Sequence, residues 1–300
     1  GDIDVLSASY SDNKIAWYEN NGAESFTAHE ITDQADGAYS VYAADVDGDG
    51  DMDVLSASYS DDKIVWYENN GAQVFTTHEI TDQADGAVSV YAADVDGDGD
   101  MDVLSASLND NKIAWYENNG AADPTFTAYE ITDQANGARS VYAVDVDGDG
   151  DMDVLSASQS DDKIAWYENN GSESFTAHEI TDQADGATCV FAADVDGDGY
   201  MDVLSASYRD NKITWYENDG AADPTFTAHE ITDQANGASS VYTADVDGDG
   251  DIDVLSASYS DNKIAWYEND NTWTARTWTP DTWTPRTWNN RAWTVGTWNY

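Results

Sequence analysis

The apolar positions of this chain come in short runs separated by polar clusters, and the pattern repeats. Residues 40–81 show it clearly. The run 40–45 is small and apolar, 54–59 follows, 63–69 carries Ile64, Trp66 and Tyr67, and 74–81 ends the set. Between the later runs lie Ser-Asp-Asp, Asn-Asn-Gly-Ala and Asp-Gln-Ala-Asp-Gly. These compositions favour turns, because glycine reaches positive φ without a steric cost and Asn and Asp side chains bond to nearby backbone. No run has the i, i+3, i+4 spacing of an amphipathic helix, so each predicts a strand.

The motif Asp-Val-Leu-Ser-Ala-Ser begins at Asp4, Asp53, Asp102, Asp153, Asp202 and Asp253, which makes the unit 49 to 51 residues long. The longer units carry Ala-Ala-Asp-Pro-Thr at 121–125 and 221–225, and an insertion tolerated there marks a loop. Four strands in each of six units predict an all-β fold over residues 1–270: a β-propeller of four-stranded antiparallel blades, six in number. A linear solenoid is the weaker reading, since solenoids usually add one strand or turn per layer. Ala43 and Ala44 suit a crowded innermost strand, and the bulky third strand suits the space between blades. Residues 271–300 form a different, Trp-rich tail with Trp273, Trp278, Trp283, Trp288, Trp293 and Trp298 five apart, a period of neither helix nor strand. Two placements stay open for it. Either it finishes the sixth blade and supplies the inner strand missing from the first, or it is an appendage and the ring is open or completed by another chain.

Composition changes this picture in one respect. A hydrophobic content of 41% suffices for a core, yet 60 acidic residues face 11 basic ones, for a net charge of −49. Nucleic acid is excluded as a partner on that balance, and anionic membrane surfaces are disfavoured. There is no apolar run of spanning length and hence no membrane insertion. The single cysteine, Cys189, rules out an internal disulfide and replaces the Ser of equivalent positions, as a small buried residue would. Halophilic acidity spreads over a surface. Here much of it is concentrated in one repeated loop.

That loop reads Asp45-Val46-Asp47-Gly48-Asp49-Gly50-Asp51-Met52-Asp53. Its acidic positions recur as Asp94, Asp96, Asp98, Asp100 and Asp102, then Asp145, Asp147, Asp149, Asp151 and Asp153. The fourth copy is Asp194, Asp196, Asp198, Tyr200 and Asp202, and the fifth Asp245, Asp247, Asp249, Asp251 and Asp253. So many carboxylates cannot approach one another without a counter-charge, and oxygen-only ligands point to Ca²⁺. Carboxylates at positions 1, 3, 5 and 9, with the carbonyl of position 7, are the expected ligands, so Tyr200 at position 7 is tolerated. About five structural Ca²⁺ ions are expected, which takes the formal charge from −49 to −39. An EF-hand would need Glu at position 12, where Ser56 stands. The ions read as staples, because cages repeated in every blade reserve no open position for a substrate. His29, His78, His178 and His229 share one position on separate blades, which fits packed side chains better than a zinc site.

The Asp-x-Asp-x-Asp-Gly-x-x-Asp loop between short strands, in units of about fifty residues, resembles the FG-GAP or VCBS repeats of integrin-α-like propellers. The sequence departs from the integrin pattern in lacking a Phe-Gly before Gly-Ala-Pro and in its uniformity. The resemblance implies a calcium-stabilised propeller and leaves the ligand open, since members serve adhesion, sugar binding and as appendages of enzymes.

Positions that vary among the repeats cluster in the turn after the second strand and in the link between blades, the end away from the Asp loops. Tyr10, Tyr39, Tyr59, Arg139, Tyr208 and Tyr259 are the ligand candidates there, since flat rings with polar edges suit sugars. The expectation is an extracellular or cell-surface binding and adhesion module, not an enzyme, with a glycan or an extracellular protein as partner. A self-assembling surface-layer subunit and an accessory propeller of a carbohydrate-active enzyme are the alternatives.

Overall fold

Strand pairing begins with neighbours in sequence, because each apolar run is joined to the next by a turn too short to reach anything else. The computed structural model describes residues 3–23, 25–172, 174–269 and 273–277. The first blade holds β1 (Val5–Ser9), β2 (Lys14–Asn20) and β3 (Phe26–Thr32), and the second β4 (Ala38–Ala44), β5 (Asp53–Ser58), β6 (Lys63–Asn69) and β7 (Phe75–Thr81). Sheet order follows chain order in both, and every pairing is antiparallel. Four further sheets repeat the pattern, so the fold is all-β, a propeller of six blades; among the described residues the first blade shows three strands and the others four. In the sixth, Thr274–Thr277 pairs with Lys263–Glu268 as the outer strand. The inner strand that one of the two placements has the tail lend the first blade falls outside the described residues.

Strand limits sit one or two residues from those expected, for a visible reason. Asp53 joins β5 because its side chain is tied into the ladder, and Tyr59 leaves it because its N–H donates to Gly37 O at 3.0 Å. In the hairpin between β5 and β6, Asp62 takes φ 60°, and Asn or Asp holds that place in all six blades. Their short polar side chains tolerate the left-handed region better than most.

The described residues divide into two compact units, 3–134 and 135–277, each of three blades. In the first unit both faces of the second blade's sheet are buried. Leu55, Ala57, Ile64 and Trp66 pack with Ala87, Val90, Ala92, Val103 and Tyr116 of the third blade. Val54, Val65 and Tyr67 pack with Ile15, Ala35, Ala38 and Val41 on the other side. A strand buried on both faces has no polar alternation, which is why Ile64 to Tyr67 is a continuous apolar run. The second unit repeats the arrangement around Leu155, Ile164 and Trp166.

Polar bonds also join blades within each unit. Ala35 N–H and Gly37 N–H donate to Asn13 O and Oδ1, while Gly37 O and Asp36 O accept from Tyr59 and Ser60, so the link is held by the hairpins on both sides. At the other end Asn118 Nδ2 donates to Val46 O (2.8 Å) of the second blade's Asp loop and to Met101 O (3.0 Å), and Asn118 Oδ1 accepts from Gly120 N. In the second unit Asn218 reaches Val146 O and Asn269 reaches Val195 O in the same way. Asn118→Ala leaves two carbonyls and one N–H without partners in a mostly buried site. We expect a cost of about 2–4 kcal/mol in urea unfolding with an unchanged m-value.

Candidate functional site

The Asp loop is built by its own side chains. Asp47 Oδ1 accepts from Asp49 N (3.1 Å), Asp49 Oδ1 from Asp51 N (2.8 Å), and Asp45 Oδ2 from Gly50 N (3.1 Å). Gly48 and Gly50 take φ 73° and 94°, and a side chain on either would meet open space, so conformation rather than room requires glycine there. Val46, pointing inward at 2% exposure, anchors the loop to the core.

Position 9 has a further task. Asp53 is fully buried, with Oδ2 accepting from Val46 N (3.0 Å) and Oδ1 from Asn69 N at the end of β6 (2.7 Å). One carboxylate thereby closes the loop and joins two strands. Asp4 likewise accepts from Asn20 N at 2.7 Å, so the strand-joining bond recurs in the first blade.

These bonds gather three acids in each loop. Carboxylate oxygens of Asp45, Asp47 and Asp53 lie within 4.8 Å of one another, and the same holds for Asp94, Asp96 and Asp102, and for Asp145, Asp147 and Asp153. Asp194, Asp196 and Asp202, and Asp245, Asp247 and Asp253, complete the five. Position 5, expected among the ligands, lies outside the group. Asp49, Asp98, Asp149, Asp198 and Asp249 each accept from the N–H of position 7 through Oδ1. The side chains of position 7 lean against the next loop of the same blade: a Cβ at Gly71 would collide with Asp51, at Gly120 with Asp100, at Gly171 with Asp151 and at Gly220 with Tyr200. Those contacts are with the ends of flexible side chains, so it is the φ of 63° to 73° that requires glycine at these four positions.

The triads fit a hard divalent cation. Every donor is a carboxylate oxygen, and Asp45 Oδ1, Asp94 Oδ1 and Asp194 Oδ1 are buried without a hydrogen-bond donor. Burial pushes Asp102, Asp153 and Asp202 up to about 6, against the opposing effect of their backbone N–H bonds. Desolvation also raises Asp47, Asp96 and Asp196, each with like-charged neighbours adding to it. A cation among these oxygens would supply the missing positive charge.

Nearby histidines are occupied elsewhere. His78 stacks on Trp66 with ring centroids 4.4 Å apart and bonds to Glu68 through Nε2 at 2.8 Å; His29, His178 and His229 do the same with their own Trp and Glu. In the third blade Tyr129 takes over, stacking on Trp115 and donating to Glu117 at 2.9 Å.

At the opposite end of the blades the sequence candidates meet only in part. Tyr10, 44% exposed, stands 6.4 Å from Tyr39, edge to face, and 6.3 Å from Tyr59, so three of the six share one patch. Arg139 Nε donates to Gln159 Oε1. Tyr208 lies beside Gly237, and Tyr259 is 75% exposed. Sequence reasoning missed the Asn that follows Trp-Tyr-Glu. Its signal was invariance across six units at Asn20, Asn69, Asn118, Asn169, Asn218 and Asn269.

A model of the FG-GAP-like repeat matches residues 1–56, 45–105, 95–156, 145–205, 194–256 and 245–298. Among solved structures the chain is similar to an Agrocybe aegerita lectin described as recognising non-reducing terminal N-acetylglucosamine, at 19% identity and TM-score 0.61, over 92% of this chain and 79% of that one. It is similar to a streptogramin B lyase at 14% and 0.63, over 91% and 82%. A third is the Aleuria aurantia lectin in complex with Fucα1-6GlcNAc, at 14% and 0.53, over 95% and 94%. At these identities the likeness is one of fold, and this fold carries both lectins and a lyase. No curated protein matches the sequence.

The raised carboxylates set a pH dependence for the metal-free protein. A folded pKa near 6 against an unfolded value near 4 gives stability that is present below about pH 4 and lost as pH rises through about 6. We expect the chelated protein to melt at a higher temperature at pH 5 than at pH 7.5. The opposite order in differential scanning calorimetry refutes the assignment of these buried acids.

Proposed function

The chain belongs to the FG-GAP-like repeat family, and from that premise we propose that it is a calcium-stabilised, extracellular or cell-surface binding module without catalytic activity, whose ligand is a glycan. The observation that carries the ligand class is the patch of Tyr10, Tyr39 and Tyr59. It offers aromatic faces for the apolar side of a sugar ring and a partly exposed Tyr10 with its hydroxyl edge. Propeller lectins of two organisms share the fold, which supports a scaffold suited to sugars.

The division of labour follows from the strand ends. Asp45, Asp47 and Asp53, with their counterparts in four other loops, hold Ca²⁺ at one end, where the ion supplies positive charge to the triad. Each bound ion stabilises the folded chain by mass action, about 2.7 kcal/mol per site when free calcium is 100 times the dissociation constant. An extracellular setting, rich in calcium, keeps such loops filled. The other end is free of that task and carries the aromatic residues. The histidines nearest the loops are engaged by Trp faces and Glu carboxylates, which supports a binding role over general acid–base chemistry.

Two outcomes check this reading. Removing calcium at pH 7.5 should lower the melting temperature strongly, and readdition should restore it with about five ions bound in equilibrium dialysis; an unchanged melt refutes the calcium assignment. On a glycan array the intact chain should select particular sugars. Tyr10→Ala and Tyr59→Ala should each weaken that binding about tenfold while leaving the melting temperature within a few degrees, a loss of roughly 1–2 kcal/mol per aromatic contact.

A further inference from the structure

In the first five blades the two outer strands are joined by an exposed loop that follows one pattern. It reads Asn-Gly-Ala at 21–23, 70–72 and 119–121 and Asp-Gly-Ala at 219–221, but Asn170-Gly171-Ser172 in the fourth blade. That single change of Ala to Ser creates an Asn-x-Ser triplet, and no other Asn in the 300 residues has Ser or Thr two positions on. Such a triplet is the acceptor signal for N-linked glycosylation where it lies on an accessible loop of an exported protein.

The local structure meets the condition of access. Asn170, Gly171 and Ser172 are all exposed, between the strands Lys163–Asn169 and Phe175–Thr181. The backbone there is held. Ser172 N donates to Asn170 Oδ1 at 3.0 Å, Gly171 N to Asn169 Oδ1 at 3.1 Å and Asn170 N to Ser174 O at 3.3 Å. The amide nitrogen is not: Asn170 Nδ2 makes no hydrogen bond among the described residues. In the third blade, by contrast, the loop is two residues longer and Asn119 Nδ2 donates to Thr125 Oγ1 at 2.7 Å. The longer loop also shows that this place takes added bulk without disturbing the strands, since Asn118 pairs with Phe126 just as Asn169 pairs with Phe175.

We propose that Asn170 is an N-glycosylation site, receiving one oligosaccharide from a lipid-pyrophosphate donor by the action of an oligosaccharyl transferase. In that step Asn170 Nδ2 bonds to the anomeric carbon of the donor and the bond from that carbon to the pyrophosphate oxygen breaks. The lipid pyrophosphate leaves with the electron pair, the amide gives up one proton to the transferase, and nothing is oxidised or reduced. The Ser172 hydroxyl is what distinguishes this loop from its siblings, and it is the group that the acceptor signal requires. The loop stands at the Asp-loop end of its own blade, where Asp151 lies against Gly171, so the sugar projects from the end opposite the variable turns of that blade. The inference rests on the extracellular reading, because such transferases act on exported chains.

The test is secretion of the whole chain from a eukaryotic host behind a cleavable export signal, read by intact mass and by peptide mapping before and after an amidase that removes N-glycans. One glycan should be found, at Asn170 alone. Ser172→Ala, which restores the residue of the sibling loops, should abolish it and leave the melting temperature within about 2 °C. Ala72→Ser builds the same triplet in the short loop of the second blade, where Asn70 Oδ1 is held by Ala72 N in the same way, and should add a second glycan. A secreted chain that carries none at Asn170, while the host's own secreted proteins are glycosylated, overturns the proposal and leaves the extracellular reading standing. A glycan retained in Ser172→Ala overturns it as well, because the triplet then is not what the transferase reads. Fractionation of the native source tests the other reading separately: a chain confined to the cytosol removes the extracellular setting and, with it, the proposal.

Discussion

A buried carboxylate at the first residue of the second strand is the constraint on which each complete blade depends. Asp53 has no exposed surface, yet it is asked to bond to the N–H of Val46 and of Asn69 and to stand within 4.8 Å of two other acids. The first two demands favour its charged form, and burial opposes it. Protonation relieves the conflict at low pH, and a cation held among the three acids would relieve it at neutral pH. The loop's glycines, its inward valine and its chain of side-chain-to-backbone bonds keep the three acids together so that one ion can serve them all.

From that joint the architecture extends outward by contacts that cross from blade to blade. Asn118 ties the end of its own strand to the loop of the preceding blade, so a loop that holds its shape also holds its neighbour. On the opposite end the link at Ala35 and Gly37 lies between two hairpins and is bonded to both. Hydrophobic burial on both sheet faces supplies the non-directional attraction, and these polar ties fix the angle and register at which it is realised. Stability at one end therefore leaves the surface of the other end able to vary in sequence.

The rhythm of apolar runs and turn clusters made the strands, their order and the repeat legible before any coordinates, because those features are set by local pairing and steric rules. The acidic loop was legible for the same reason: fixed spacing within nine residues. What escaped was whatever depended on which backbone N–H a side chain captures. Asp49 and its counterparts each accept the N–H of position 7 through Oδ1, a bond that spacing alone does not announce. Asn118 reaches a carbonyl 72 residues away, a contact no local pattern announces. Likewise, nothing in the alternation of Ser56 and Ser58 tells that the first bonds to Tyr67 while the second bonds to nothing.

The repeats themselves separate structural need from accident, since each blade solves the same problem with slightly different residues. Tyr129 replaces histidine and keeps both the stack and the bond to glutamate, so the position demands a flat ring with one polar edge rather than a metal ligand or a proton carrier. Tyr200 replaces aspartate at position 7, and its N–H still donates to Asp198, so the backbone there matters and the side chain does not. Asp219 replaces Asn119 and accepts the same pair of N–H groups, from Ala221 and Thr225. In each case the substitution preserves a geometry and changes a charge or a volume. At the tyrosine end, by contrast, Tyr59, Leu108, Gln159 and Tyr208 share a position without sharing a chemistry. A position that tolerates leucine, glutamine and tyrosine is not holding the blade together, and what it presents outward is what differs from blade to blade.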